Sequence, residues 1–517
     1  MRRLPRFVFL GGFVFLGLGG FVACASDESG TTPTDPTEGG TPDTSRPDTS
    51  TPPPVDSSTL DVKEGGDGGV DAPTDTGTDV KVETGTDTGV DAGPTTRLYF
   101  GGDFAVNNTS ALGRALVPVG GTLPASAVIA AKATAYSLTP DGTKIVFSAD
   151  ITVAGRADLY VANADGTNAQ LRYALPANTA SITEIVVSPD GNTVAFIADA
   201  DLDGQQDAYV VPLAGATAPV RVSPTRAANN VDLDAQAISF SRDSKYLAVA
   251  GDFTTNLKNE LYSVDITVAA PVPVPVLADA AIPAPPGTAA VGISTNLRPL
   301  WTAGGKVCAK ANLDGGTPVF RLYCANGDGT AFAEPANLPA LPAQIGSYGL
   351  SPDGATLAFS ADSAAQPGAY EVFTMPSDDS AAATRITSGT LTAVAGTNRG
   401  TNFSIPLAFS PDGSKIAFVG DWLVDDRNEL FVVPTAGGTE KRLAVVGPAN
   451  DAERDVQGLV WSPDNLQIAF ICDHRVNNDF ELFRVLDVTT ADQVPSLVRA
   501  VVGSGDVDFN FALDWRP

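Results

Sequence analysis

The stretch "SPDGSKIAFVGD", Ser410 to Asp421, decides the fold because close copies of it return along the chain. The copies are "TPDGTKIVFSAD" from Thr139, "SPDGNTVAFIAD" from Ser188, "SPDGATLAFSAD" from Ser351 and "SPDNLQIAFICD" from Ser462. The second residue of each turn, degenerate copies included, is Pro140, Pro189, Arg242, Ala303, Pro352, Pro411, Pro463 and Pro517. Successive turns are therefore 49 to 61 residues apart.

Each repeat unit contains four apolar runs separated by turns. After the turn at Pro411 come "KIAFVG", "ELFVV" and "KRLAVV", and a run such as "LVW" precedes each turn. The second run is apolar on both faces, as a sheet covered by a neighbour on each side requires. Self-similarity at about this period, with several short strands per unit, is typical of a β-propeller. The sequence thus predicts an all-β propeller of four-stranded antiparallel blades.

The two ends of the repeat region predict how the ring closes. Residues 97–122 align with the second and third runs of a unit, and no first run precedes them. The final "FALDWRP" aligns with a first run, with nothing after it. The last strand would therefore complete the blade that the first strands begin, which removes exposed sheet edges. Seven complete units and this split unit predict eight blades; seven is the alternative if the degenerate fourth unit is an elaborated loop.

The fourth unit, "TAGGKVCAK", lacks the Pro-Asp of the turn but is still recognised by its third run, "RLYCANGDGT". Cys308 and Cys324 lie in two runs that should pair as a hairpin, so we predict a cross-strand disulfide, which an exported protein permits. Two buried thiols acting as small apolar residues are the alternative. Cys472 then has no partner.

The first 23 residues have the features of a secretory signal peptide. Arg2, Arg3 and Arg6 precede an uncharged run from Phe7 to Ala23, and Cys24 follows where cleavage is expected. "FVAC" resembles the lipobox of bacterial lipoproteins and departs from it at Phe21, where Leu is commonest. The resemblance implies acylation of Cys24 and a lipid anchor without a spanning helix. An ordinary signal peptide with an incidental cysteine is the alternative.

Residues 24–96 form a predicted disordered linker. Thr, Asp, Pro, Gly and Ser dominate, so the segment has little apolar surface to bury. It carries 16 acidic against three basic residues, and of the net charge of −28 the predicted propeller, 97–517, keeps −18. Such acidity argues against nucleic acid as a partner. The acidic charges of this tether repel one another, which predicts a spacer between the membrane and the propeller.

The "SPDG…IAF" and "ELFVV…GGT" patterns resemble the PD40, or WD40-like, repeat of TolB-like propellers across essentially all of residues 97–517. TolB-type proteins are usually six-bladed with an added N-terminal domain. Here a disordered acidic tether stands in place of that domain and the predicted blade number is larger. The resemblance therefore implies the fold, and we do not carry over a role in envelope integrity.

Two acidic positions recur in each unit. The turn acids are Asp141, Asp190, Asp353, Asp412 and Asp464, and "PDG" is a complete turn mechanism, so we interpret them as structural. The second set ends the second run and opens a loop on the face where propellers usually bind: Asp103, Asp150, Asp199, Asp252, Asp362, Asp421 and Asp473. Most of these are expected to cap their loops. If these loops carry function, the second set marks where it lies.

One loop, "DADLDGQQD", predicts a Ca²⁺ site. Its acids are Asp199, Asp201, Asp203 and Asp207, and the first six positions fit the Asp-x-Asp-x-Asp-Gly pattern. Val210 occupies the twelfth position, where an EF-hand needs Glu, so a solvated acidic turn is the alternative. The loop "DWLVDDRNE", with Asp421, Asp425, Asp426 and Glu429, is a weaker candidate.

Hydrolase motifs are poorly represented. His474 is the single histidine, and no Gly-x-Ser-x-Gly elbow occurs. We predict a non-enzymatic, monomeric envelope lipoprotein, periplasmic or at the cell surface of a bacterium, whose propeller binds a protein or a glycan. One alternative is a carboxylate-dependent glycan hydrolase or lyase acting in the central funnel, because its acids could come from distant blades. A Ca²⁺-stabilised structural surface protein is another.

Overall fold

A computed structural model describes most of the repeat region. The described residues are 95–106, 109–118, 127–176, 181–200, 205–225, 233–283, 291–313, 319–339, 344–363, 366–388, 399–402, 405–423, 427–444, 455–475, 480–499 and 513–517. The predicted signal peptide, Cys24 and the linker up to residue 94 lie outside them, as do Asp201 and Asp203. Within the described part of the chain no helix has the length and hydropathy of a membrane span.

The strands of the described residues form eight antiparallel blades. Within each blade the strands are named in order from the first to the fourth. Blade 1 contains Asp514–Arg516, Thr95–Val106, Thr109–Pro118 and Ala127–Ala131; blade 2, Ala133–Leu138, Lys144–Val153, Arg156–Asn163 and Gln170–Tyr173; blade 3, Ile182–Val187, Thr193–Ala198, Asp207–Pro212 and Val220–Arg221; blade 4, Ala235–Phe240, Tyr246–Gly251, Lys258–Asp265 and Pro273–Leu277. Blade 5 contains Leu300–Trp301, Lys306–Asn312 and Phe320–Asn326; blade 6, Ile345–Leu350, Thr356–Ser363, Gln366–Pro376 and Thr384–Arg385; blade 7, Ala408–Phe409, Lys415–Gly420, Glu429–Pro434 and Lys441–Ala444; blade 8, Val456–Trp461, Ile468–Cys472, Glu481–Val485 and Ser496–Arg499.

Two short strands and one 3-10 turn lie between blades. Val291–Ile293 runs parallel to the third strand of blade 4 and antiparallel to the second strand of blade 5. Arg399–Gly400 runs parallel to the third strand of blade 6. The 3-10 turn is Asp279–Ala281. The two short strands join neighbouring blades by backbone hydrogen bonds.

Hydrophobic clusters close the ring. Each of the eight clusters in the described residues contains side chains from two adjacent blades, and together they cover every adjacent pair. The closing cluster joins Phe100 and Trp515 of blade 1 to Ile471 and Leu482 of blade 8. The C-terminal strand also pairs with the second strand of blade 1, with Leu98 opposite Trp515. The predicted eight blades and the terminal closure are therefore confirmed.

A stacked aromatic pair recurs at the centre of the blades. Phe418 of the quoted stretch faces Phe431 across the second and third strands, with ring centroids 5.4 Å apart. Blades 2, 3, 6 and 8 repeat this pair as Phe147–Tyr160, Phe196–Tyr209, Phe359–Phe373 and Phe470–Phe483. Cross-strand aromatic pairs stabilise a sheet beyond their buried area, so the repeat supplies one such contact in each of these blades.

Blade 5 is the degenerate unit, and it differs from the prediction of four strands. Its described fourth strand is reduced to one bridge between Cys324 and Ala333. Its turn survives without Pro-Asp because the Lys306 N–H donates to Thr302 Oγ1 at 3.1 Å. A disulfide joins Cys308 to Cys324, which lie opposite each other on the second and third strands. Cys472 is free and buried.

Replacing both Cys308 and Cys324 by Ala is expected to lower the free energy of unfolding by about 3 kcal/mol, because the bridge closes a short loop in the unfolded chain. Urea unfolding with and without a thiol reductant measures this. The reductant should destabilise the wild-type protein and leave the double variant unchanged. Equal stability of the oxidised protein and the variant would contradict a stabilising role.

The outer edge of a blade is covered by the following blade. Gly438 N–H of blade 7 donates to Ile386 O beyond the fourth strand of blade 6 at 3.0 Å. Gln493 N–H of blade 8 donates to Leu443 O of blade 7 at 2.9 Å. In blade 2, Arg172 reaches Pro212 O of blade 3 at 2.7 Å. Contacts of this kind help to protect the outer edges from pairing with other chains.

The inner edges are joined in a similar way around the central channel. Trp301 Nε1 donates to Ser239 O of blade 4 at 3.1 Å, and Trp461 Nε1 donates to Ala408 O of blade 7 at 2.9 Å. Thr134 Oγ1 donates to Ile182 O of blade 3 at 2.8 Å. First strands are the innermost strands of the ring, and side chains from neighbours satisfy part of their free backbone edge.

Candidate functional site

The turn acids are held inside their own turns. Ser410 Oγ donates to Asp412 Oδ1 at 2.6 Å, the Ser414 N–H donates to the same oxygen at 3.0 Å, and Lys415 N–H donates to Ser410 Oγ at 3.0 Å. The same arrangement holds Asp141, Asp190, Asp243, Asp353 and Asp464. The sequence interpretation gave the acids this role but overlooked the Ser or Thr two residues earlier, which is present in every one of these turns.

Hydrogen bonding lowers the pKa of four of these turn carboxylates, Asp141, Asp243, Asp353 and Asp412. The Ser410 hydroxyl, followed by the Ser414 N–H, lowers the pKa of Asp412 to about 2. Hydroxyl donation likewise lowers the pKa of Asp141, Asp243 and Asp353. A carboxylate that accepts such bonds stabilises the folded state while it is charged.

Asp412→Ala is expected to lower the free energy of unfolding by about 1 kcal/mol at pH 7, a value limited by solvent exposure. The folded-state pKa lies below the unfolded value of about 3.9, so the contribution is complete above that value and disappears as the pH falls toward about 2. Urea midpoints of the wild type and the variant between pH 2 and 7 measure this. A difference that does not change with pH would show that the charge has no part in it.

The second set of acids ties the end of the second strand to the start of the first. Asp252 Oδ1 accepts the Asp234 N–H at 3.0 Å, and its Oδ2 accepts the Leu257 N–H at 3.1 Å within the loop. The equivalent first contacts are Ser181 N–H to Asp199 (3.0 Å), Gln344 N–H to Asp362 (2.6 Å), Gly400 N–H to Asp421 (2.5 Å) and Asp455 N–H to Asp473 (2.7 Å). Burial raises the pKa of Asp252. These acids therefore act as caps, as expected for most of them.

Two members of the set differ. Asp150 accepts the Gly155 N–H at 2.9 Å and pairs with Lys132 at 3.2 Å, so it caps its own loop; the Gly155 N–H lowers the pKa of Asp150. Asp103 lies in the second strand of blade 1, and its side chain is outside the described part.

The loops between second and third strands also end against the next blade. Gln206 O accepts the Ala235 N–H at 2.9 Å, and Asp234 Oδ1 accepts the Gln206 N–H at 2.7 Å. Blades 7 and 8 repeat this contact through Asn428 and Asp455, where the Asn428 N–H donates to Asp455 Oδ1 at 2.9 Å. Both ends of such a loop are thus fixed. The face that carries these loops, called the loop face below, is the candidate binding face.

A third series of charged residues lies on the third strands; the sequence analysis named Asp207 and Glu429 only as candidate Ca²⁺ ligands and missed the series. It consists of Asp158, Asp207, Glu260, Glu371, Glu429 and Glu481, with Arg321 in blade 5. Glu429 has no exposed side-chain surface and pairs with Arg427 at 2.8 Å and Arg442 at 3.2 Å. The sequence feature that could have revealed this series is an acid directly before the third apolar run, as in "ELFVV". Ion pairs of these residues hold strands together. The Glu429 carboxylate is shared by the guanidinium groups of Arg427 and Arg442.

The predicted Ca²⁺ loop is described only at its ends. Asp199 accepts the Ser181 N–H, and Asp207 accepts from Ser223 Oγ at 2.5 Å and pairs with Arg221 at 3.1 Å. In the described ranges no group of three or more His, Cys, Asp or Glu residues is arranged to hold a metal ion. In the weaker candidate loop, Asp425 and Asp426 lie outside these ranges.

Calcium binding by the loop from Asp199 to Asp207 stays a prediction, and calorimetry tests it. A site that binds only the folded protein raises the melting temperature in excess Ca²⁺ and loses that gain in EDTA. An Asp201→Asn, Asp203→Asn variant should show no Ca²⁺ response if the site is real. An unchanged melting temperature of the wild type in EDTA would contradict a stabilising site.

Two ion pairs lie among the first strands at the channel. Glu184 of blade 3 pairs with Arg298, just before the first strand of blade 5, at 2.5 Å. Asp514 pairs with Arg516 in blade 1 at 2.8 Å. Burial raises the pKa of Glu184 and that of Asp514. The sequence interpretation named neither pair.

The single histidine, His474, packs edge-on against Phe483, with ring centroids 5.4 Å apart.

No family model and no curated protein matches the chain. Similar solved structures include an oligogalacturonate lyase in complex with manganese, with 16% identity over 76% of this chain and 96% of that chain and a TM-score of 0.46. The β-propeller domain of the Trilobed protease from Pyrococcus furiosus has 10% identity over 69% and 95% and a TM-score of 0.40. A putative TolB from Agrobacterium tumefaciens has 16% identity over 68% and 93% and a TM-score of 0.31. At these values the three structures carry no activity over to this chain.

Proposed function

We propose that the chain is a non-enzymatic, lipid-anchored envelope protein whose propeller binds a protein partner or a glycan through its loop face and channel. The supporting observation is the construction of the loop face. Acids such as Asp252 fix where a loop starts, and residues such as Gln206 fix where it ends. Eight residues separate each of the equivalent pairs Ala149–Asp158 and Ala198–Asp207. The connections differ in sequence and conformation, since in blade 2 the strands pair again between Val153 and Arg156. Variable loops on a fixed frame are the usual construction of a binding surface.

The proposed address is the outer part of a bacterial envelope, in the periplasm or at the cell surface. It rests on the sequence of residues 1–96: a signal-like start, Cys24 in a lipobox-like context and an acidic spacer. The spacer and the propeller have the same sign of charge, so repulsion would favour an extended tether that holds the propeller away from the anchor.

Capture from native envelopes tests the binding proposal. The full lipidated chain is compared with two variants. Leu423→Arg changes the loop face, and the matched Leu466→Arg changes a turn between a first and a second strand. Leu423 and Leu466 are 55% and 50% exposed, so both changes add a similar charge to a similar surface. A partner that is lost with Leu423→Arg and kept with Leu466→Arg supports the proposal. A partner lost only with Leu466→Arg, or no partner at all, speaks against the loop face.

A carboxylate-dependent glycan hydrolase or lyase is the second candidate, and Glu184 is the observation that favours it. Its carboxyl lies at the channel with a raised pKa, as a general acid requires. Its ion pair with Arg298 opposes this role because it stabilises the charged form. Turnover of any polysaccharide by the wild type that Glu184→Gln abolishes would replace the binding proposal by this one.

A further inference from the structure

Arg298 contacts one blade that is adjacent to its own and one that is not. Its Nε pairs with Glu184 of blade 3 at 2.5 Å, and its carbonyl accepts from the Tyr348 hydroxyl of blade 6 at 3.0 Å. Blades 3 and 5 are not neighbours, because blade 4 lies between them. Non-adjacent blades of a ring meet only at its centre. The guanidinium therefore lies in the channel, beside the inner edge of blade 4.

The partner of Arg298 is fixed, and the guanidinium is only partly used. Glu184 is 11% exposed and also accepts the N–H of Ile238 on the first strand of blade 4. The Arg298 side chain is 48% exposed. Its Nη1 and Nη2 have no partner among the described residues. A guanidinium held through Nε keeps its terminal fork free, and that fork matches a planar carboxylate with two parallel hydrogen bonds.

The surroundings of this fork distinguish it from other arginines. Among the described residues, the first strands and the two positions before each of them carry one other arginine, Arg516, which is paired with Asp514. Arg454, two residues before the first strand of blade 8, lies outside the described residues. Asn296, two residues before Arg298, is exposed and offers a further amide. In a propeller with a net charge of −18, an anchored and accessible cation in the channel is a specific feature.

The channel favours a peptide over a sugar. Aromatic rings on the described first strands are buried: Tyr136, Phe240, Trp301, Tyr348, Phe409, Trp461 and Trp515 have at most 9% exposure. No ring on those strands is thus open for stacking on a sugar. The inner edge of each first strand does offer backbone N–H and C=O groups, and the Ile238 N–H already donates to a side chain there. An extended peptide can add to such an edge while its carboxylate is bound.

We infer that the channel at blades 3 to 5 is a carboxylate-binding site in which Arg298 receives the C-terminal carboxylate of an extended peptide segment of a protein partner. Glu184 is a positioning residue that holds the guanidinium. This inference rests on the proposed binding function and names the chemistry of the partner. The site requires no chemical step.

The test uses the full chain in detergent micelles and two fluorinated probes, trifluoroacetyl-Ala-Ala with a free carboxylate and its C-terminal amide. Binding is followed by ¹⁹F line broadening. We expect the free carboxylate to bind and the amide to bind at least tenfold more weakly, since hydrogen bonds to charged groups are lost. Arg298→Gln should lower affinity for the carboxylate probe about tenfold or more. Arg298→Lys, which keeps the charge but not the fork, should also weaken it.

Arg385→Gln is the matched control. Arg385 is 41% exposed and pairs with Glu371 at 2.9 Å on the fourth strand of blade 6, away from the channel, so its loss should leave probe binding unchanged. Circular dichroism melts establish that the variants fold. Equal binding of acid and amide, or equal loss with Arg385→Gln, would overturn the inference. Tighter binding of glucuronate than of the peptide probe, lost with Arg298→Gln, would overturn it in favour of an anionic glycan.

The envelope capture separates this inference from the proposed function. A partner that the wild type and Arg298→Gln retain equally would leave the binding proposal standing and overturn the role of Arg298. Failure of both the capture and the probe binding would reject both.

Discussion

Deleting Phe509–Pro517 is expected to convert a soluble, cooperatively folding propeller into an open, aggregating chain. The deletion removes the first strand of blade 1, Asp514–Arg516, and with it Trp515, which is 5% exposed. The cluster between blades 8 and 1 then loses its inner part, and the second strand of blade 1 becomes an unpaired edge. Unpaired edges next to exposed apolar surface pair with other chains. Size-exclusion chromatography and a thermal melt measure the result.

Trp515→Ala provides the matched control, because it keeps the closing backbone and removes only the ring. We expect it to remain soluble and to lose about 3–5 kcal/mol of stability from the cavity. The deletion should be far more severe. A soluble truncated chain with a melting transition close to the wild type would contradict closure by the C-terminal strand.

Glu429→Ala should be among the most destabilising single substitutions in blade 7. It leaves Arg427, whose side chain is 2% exposed, and Arg442 without the carboxylate they share. Removing one partner of a buried ion pair costs about 3–5 kcal/mol, and Arg442 keeps its pair with Asp492 at 2.6 Å. Urea unfolding at pH 7 measures the loss.

Glu371→Ala is the comparison within the same protein. Glu371 occupies the equivalent position in blade 6, but its partner Arg385 is 41% exposed. An exposed pair contributes about 0–1 kcal/mol, so this variant should be near neutral. Similar losses for the two variants would show that burial of the Glu429 pair does not set its importance.

The architecture was predictable because each unit repeats the same local physics. The turn and the second run, apolar on both faces, are both evident in the sequence around Phe418. The split first blade was predictable too, because "FALDWRP" aligns with a first run and residues 97–122 align with second and third runs. The disulfide followed from the hairpin placement of Cys308 and Cys324, which the structure joins. The prediction of four strands was wrong for blade 5, where a single bridge at Ala333 stands in place of the described fourth strand.

The candidate site was less accessible because it depends on contacts between units. Nothing near Glu184 in the sequence indicates Arg298, which belongs to a blade two places further on. The capping by Asp252 likewise depends on a β-bulge early in the first strand, where the register shifts between Ala235 and Ala237. A repeat pattern shows which positions are equivalent. It does not show which oxygens are already used, and that decides whether an acid such as Asp252 is available to a ligand.

The double attachment of the loops has a consequence for how such a protein changes over evolutionary time. Asp252 and Asp421 fix the start of their loops, and the next blade fixes the end. Such a loop can lengthen, shorten or be exchanged between blades without a new strand register. New specificity can then arise by recombination among copies of one gene, with the frame unchanged. The same property makes this ring a natural scaffold for grafting foreign loops, one blade at a time.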